Sequence, residues 1–218
     1  MISFTKVPTE QTSAATDIVL VIIAAIIWFY LYRSDFQPYW KRYVWLCFYA
    51  LLFLSALLAG FIHGTETSQN IRVGLWYTLF IFLGLFLVSF TLAVLNDLIG
   101  EYYSKKALPY ALLAGFIFFI LAVVKTYGFL TFVVYQALAM SLVVIGYAWL
   151  GWTGRLPGAW YMALGGVFSF TAVVFQVRTS LEFTFIWTFN HNGVYHLVQA
   201  VGVLFFFVGI KKSFQAVI

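Results

Sequence analysis

The chain has 218 residues, of which 64% are hydrophobic, 22% aromatic and 9% charged, against about 45–50% apolar and about 25% charged in an ordinary soluble domain. Twelve basic and seven acidic side chains are too few to cover a soluble protein of this size, which excludes a soluble enzyme, a disordered chain and a nucleic-acid-binding module. The net charge of +5 forms no basic patch, because lysine and arginine fall in short segments between apolar runs, where they set topology.

A hydrocarbon core of about 30 Å takes roughly 20 residues of helix, and seven runs of suitable length follow in order. The N-terminal stretch MISFTKVPTEQTSAATD is polar and lacks the basic segment and early apolar core of a cleaved signal peptide, so the first span is expected from Asp17 to Arg33. The next are Tyr43 to His63, Val73 to Leu98, Leu108 to Lys125, Gly128 to Trp152, Ala159 to Arg178 and Asn192 to Ile210. Between the last two, RTSLEFTFIWTFNHNG holds an apolar stretch too short to cross, read as an interfacial loop or an extension of the sixth helix. None of the runs alternates as barrel strands do. The expected fold is all-α, a single polytopic seven-transmembrane-helix bundle. On one side of the membrane lie Arg33, Lys41, Arg42, Lys105, Lys106, Arg155, Lys211 and Lys212, and on the other Lys6, Arg72, Lys125 and Arg178. That bias predicts an outside N-terminus and a cytoplasmic C-terminus. The single cysteine, Cys47, sits in an apolar run and is expected to pack in the core.

Polar groups in or near spans carry the chemical information, because each costs several kcal/mol in hydrocarbon without a partner or water. The chain has three histidines. His63 ends the second helix, His191 and His196 open the seventh, and the predicted topology puts all three on the outer side. Asp17 begins the first helix there, Glu66 follows His63, and Arg178 and Glu182 lie in the last connection. In FNHNGVYHLVQ, Asn190 or Asn192 can cap the helix, Asn192 and His196 share a face at i, i+4 spacing, and Gln199 continues it. His191 stands about 140° round from His196 on a regular helix, so both address one point only if His191 precedes the helix or its first turn is irregular. Three neutral imidazoles plus one water are a usual catalytic zinc arrangement. Metal ligands are therefore expected at His63, His191 and His196, with Asp17 or Glu66 as the base and Asn192 and Gln199 as polar support. Near the inner end of the third helix, Asn96, Asp97 and Glu101 read as a solvated helix end. Gln136 and Gln176 read as buried hydrogen-bonding groups.

Seven helices, a histidine closing the second and histidines opening the seventh resemble the CREST superfamily of membrane hydrolases, which includes the alkaline ceramidases and adiponectin-type receptors. The resemblance implies zinc held by a second-helix histidine and a HxxxH pair of the seventh, and hydrolysis of a lipid amide. His63 and His196 match two of those positions. Asn192 stands four residues before His196 where the family has histidine, Ala59 where it has serine, and Gly74 or its neighbours where it has aspartate.

Two other classes fit parts of the same pattern. His63 and His196, on facing helices at one depth, are a possible axial pair for haem b in an electron-transfer subunit. A non-catalytic subunit or receptor would use its aromatic exterior and small residues such as Gly60, Gly84 and Gly165 against protein partners within the membrane. A retinal protein is excluded, because Lys125, Lys211 and Lys212 end helices rather than sit mid-span.

Overall fold

Pro8 opens the first helix of the computed structural model, which describes residues 2–124 and 128–215. Its fixed φ and missing N–H suit a first helical turn. Helix α1 spans Pro8–Arg33 and so begins well before the expected Asp17. In its polar first turns Thr12 and Ser13 satisfy their hydroxyls on the carbonyls of Pro8 and Thr9, each at 3.0 Å. The other helices are α2 Tyr39–Gly64, α3 Gln69–Ile99, α4 Glu101–Val123, α5 Gly128–Trp152, α6 Ala159–Val177 and α7 His191–Gln215. All seven are long and apolar enough to cross a membrane. The expected end of the fourth span, Lys125, lies outside the described residues.

Short strands stitch one end of this all-α fold. Strand β1 (Ser3–Phe4) pairs antiparallel with β2 (Thr65–Glu66), which follows α2. The connection from α6 to α7 is neither a plain loop nor more helix, as its apolar content suggested, but a hairpin of β3 (Glu182–Thr184) and β4 (Thr188–Asn190). Alternation explains it: Phe183 and Phe189 are register partners on one face and their rings stack at 5.6 Å, while threonines pair beside them.

Helices α1, α2, α3, α5, α6 and α7 form a closed ring, and α4 lies outside against α3 and α5. Backbone proximity seals α6 to α7. A Cβ on Gly165 would stand 2.9 Å from the Gly202 carbonyl, and one on Gly202 would stand 3.0 Å from that of Gly165, so only glycine permits the approach. Inside the ring, Phe48 packs at 4.7 Å on Phe86 and 5.1 Å on Phe90, and Phe90 meets Phe206 at 5.3 Å. These aromatics fill the middle of the bundle and separate two polar ends.

At the end that carries the lysines, two expectations are corrected. Asp97 is not solvated: its carboxylate is 1% exposed and lies 2.8 Å from Lys41 Nζ. Tyr147 donates to the other carboxylate oxygen at 2.9 Å, and Lys41 donates to Ser213 Oγ at 2.8 Å. Lys41 is thus a buried partner rather than a loop cation, and the remaining bias in lysine and arginine still has the predicted sign. Cys47 is exposed on the outer face of α2 rather than packed in the core, because its neighbours Trp45 and Phe48 take the inward positions.

Candidate functional site

The starts of α1 and α7 and the end of α2 meet at one face of the bundle, and this antiparallel arrangement brings Asp17, His63 and His196 to one depth. Gly60 lets α2 approach closely here, since a Cβ on it would lie 3.2 Å from Asp17 Cβ.

His196 is buried and held at both ring nitrogens, with Nδ1 3.0 Å from Thr16 Oγ1 and Nε2 3.3 Å from Asp17 Oδ1. Thr16 Oγ1 also lies 2.8 Å from the Ser13 carbonyl, to which it can donate. Asp17, when ionised, can only accept, so a neutral His196 that carries its ring proton on Nε2 donates it to Oδ1. Asp17 is 1% exposed, and its Oδ2 makes no hydrogen bond among the described residues. A buried acceptor left unpaired costs about 1–3 kcal/mol, which marks a place where a proton, water or ligand belongs.

His63 is half-buried, and its Nδ1 lies 2.7 Å from Glu10 Oε2. The centroids of the His63 and His196 rings are 6.3 Å apart. His191 is the first residue of α7, and its Nδ1 is buried without a hydrogen-bond partner among the described residues. Asn190 caps α7 by accepting from the Gly193 amide at 3.1 Å. Asn192 accepts from Gln176 at 2.8 Å, tying α7 to α6. Deeper in the bundle, Gln136 donates to Gln199 at 3.1 Å, Gln199 donates to Ser169 at 3.1 Å, and Tyr195 donates to Gln136 at 2.9 Å.

Of the sequence candidates, the three histidines line one cavity of about 480 Å³ at this end. His196 also lines a smaller cavity of about 70 Å³ that runs inward beside Asp17, Ser55, Gln136 and Gln199 between apolar walls. His196, with Ala59, Leu79 and Phe129, lines both spaces, and Asp17 lines the inner one beside it. Glu66 is elsewhere: it is exposed on β2, opposite Ser3, and lines neither cavity. Among the described residues, no group of three or more His, Cys, Asp or Glu side chains is arranged to hold a metal ion.

Glu10, Thr16 and Arg72 complete the site and were not singled out in the sequence. Had the first helix been extended to Pro8, the spacing of Glu10 and Asp17, seven residues and about two turns, would have put both carboxylates on one face. No comparable local signal marks Arg72.

Residues 12–214 match the sequence profile of a family of unknown function, DUF6962. The chain belongs to this family. No curated protein and no solved structure matches it. The matched range takes in Thr16, Asp17 and all three histidines and leaves out Glu10.

Proposed function

We propose that this DUF6962 member is a multi-pass membrane hydrolase that cleaves a lipid amide or ester at the histidine end of the bundle, on the outer side of the membrane. The observation that carries the reading is the Oδ2 of Asp17, without a hydrogen-bond partner among the described residues, in a largely apolar inner cavity beside His196, which also lines the polar-rimmed outer one. Such a pair of cavities suits an amphiphile, whose acyl chain enters the inner space while its headgroup stays in the outer one.

The resemblance to CREST hydrolases implies zinc; histidines of the right type are present, but among the described residues His63, His191 and His196 are not grouped so as to hold a metal ion. Glu10 and Thr16 hold the Nδ1 atoms of His63 and His196, the outer-shell arrangement that orients metal-binding imidazoles. His191 Nδ1 is a third nitrogen without a partner among the described residues. A bound zinc ion would supply Lewis acidity to the carbonyl and acidify water. Asp17 takes the proton of the attacking water at Oδ2 and returns it to the leaving amine or alcohol, as oxygen adds to the carbonyl carbon and its bond to the leaving group breaks. Thr16 and Ser13 fix the His196 ring throughout.

Metal analysis of purified protein tests this proposal together with a lipid amide hydrolysis assay. Stoichiometric zinc, lost in His63→Ala and His196→Ala along with activity, is expected. Protein that is folded, metal-free after zinc supplementation and inactive on amide and ester lipids would leave the alternative of a non-catalytic subunit.

A further inference from the structure

Arg72 lies in the first turns of α3, half-buried, on the wall of the outer cavity, and it forms no ion pair among the described residues. A guanidinium partly withdrawn from water without a counter-charge is unfavourable, and its fork of donors matches phosphate or carboxylate. The nearest acidic candidate on that wall, Glu10, is already engaged by His63 Nδ1 at 2.7 Å. Gln176 and His191 line the same space, where His191 Nδ1, a ring nitrogen able to donate, and Gln176 Oε1, an acceptor, have no hydrogen-bond partner among the described residues. Apolar side chains complete the lining, Trp76, Phe129 and Val133 among them, and Leu130 is 56% exposed on α5. The cavity thus combines an uncompensated cation with apolar lining suited to hydrocarbon.

We infer that the outer cavity binds the anionic headgroup of a lipid, with Arg72 as the group that pairs with its phosphate or carboxylate. This rests on the proposed hydrolase site for the position of the scissile bond, but the binding itself does not require chemistry. The anionic oxygens of the headgroup meet Arg72 and the His191 ring N–H, Gln176 Oε1 accepts from a headgroup hydroxyl, and the apolar body lies against Trp76 and Phe129. An acyl carbonyl is then carried toward Asp17 and His196 while the chain enters the inner cavity. Arg72 is a specificity residue in this arrangement, not a catalytic one.

Titration of the full-length protein in neutral detergent micelles tests the inference, with tryptophan fluorescence as the readout and Trp76→Phe to assign the signal. The probes are dihexanoyl phosphatidic acid, uncharged dihexanoylglycerol and inorganic phosphate. Phosphatidic acid is expected to bind roughly tenfold or more tightly than either of the others, Arg72→Gln to abolish that preference, and Arg72→Lys to keep part of it. Equal binding of the charged and uncharged lipids, or a preference that survives Arg72→Gln, overturns the inference. Inorganic phosphate binding as tightly as the lipid overturns the lipid assignment. Because selectivity is read first in the unaltered protein, a misfolded Arg72→Gln does not decide the matter. His196→Ala separates the two ideas: lost hydrolysis with retained selectivity supports both, whereas selectivity in a wild-type protein without hydrolysis keeps the headgroup site and removes the hydrolase.

Discussion

His196 Nε2 lies 3.3 Å from Asp17 Oδ1, a contact between the first and last helices across nearly the whole length of the chain. It is backed on the far side of the ring by Thr16, one residue before Asp17. Adjacent residues of α1 thus grip both nitrogens of one imidazole, which fixes the orientation of the ring.

Asp17→Asn retains the shape of the side chain and removes its ability to accept a proton. Under the proposed function, hydrolysis of a fluorogenic lipid amide or ester falls by about 10²–10⁴-fold, the usual contribution of general acid–base catalysis. Glu66→Gln leaves the rate unchanged, because Glu66 is exposed on β2 away from both cavities. The two variants measured side by side decide between the carboxylates that the sequence left equivalent.

The Lys41–Asp97 pair, with side chains 5% and 1% exposed, makes a stability prediction at the opposite end. Lys41→Met strands a buried carboxylate and is expected to cost about 3–5 kcal/mol, while Lys41→Met combined with Asp97→Leu recovers much of the loss. Thermal unfolding of the detergent-solubilised protein measures both. A single variant as stable as the wild type would show that the pair is not buried in the folded protein.

Gly165→Ala introduces a methyl group 2.9 Å from the Gly202 carbonyl and 2.6 Å from the Phe206 ring. The ring can turn but the backbone must separate, so a loss of roughly 1–3 kcal/mol is expected, as for other overpacked contacts. Gly74→Ala, where an added Cβ meets nothing within 4 Å, is the control. Denaturation midpoints that shift equally in the two variants would contradict the close α6–α7 approach.

Cys47 is exposed on α2, and as the only cysteine it accepts a single spin label in the native sequence. In nanodiscs its relaxation is expected to respond strongly to oxygen, which dissolves in hydrocarbon, and weakly to a water-soluble nickel chelate. The reverse ranking would place this face of α2 in water or against protein.

Number, type and approximate place of the spanning helices followed from sequence because a bilayer-length helix must be continuously apolar, a property that reads along the chain. The limit of that signal shows at Pro8–Thr16, where the helix is built from polar residues that satisfy one another, and at Phe183–Phe189, where strand alternation was hidden within apolar content. Which polar residues meet is a separate matter. His63, Asp17 and His196 could be placed at one end from helix direction alone, yet the choice of Asp17 over Glu66, the engagement of Glu10 with His63 and the burial of Lys41 against Asp97 depend on the rotation of each helix and its neighbours. Rotation is set by side-chain packing between helices distant in sequence, such as the glycine contact of α6 with α7, and only the tertiary structure contains it.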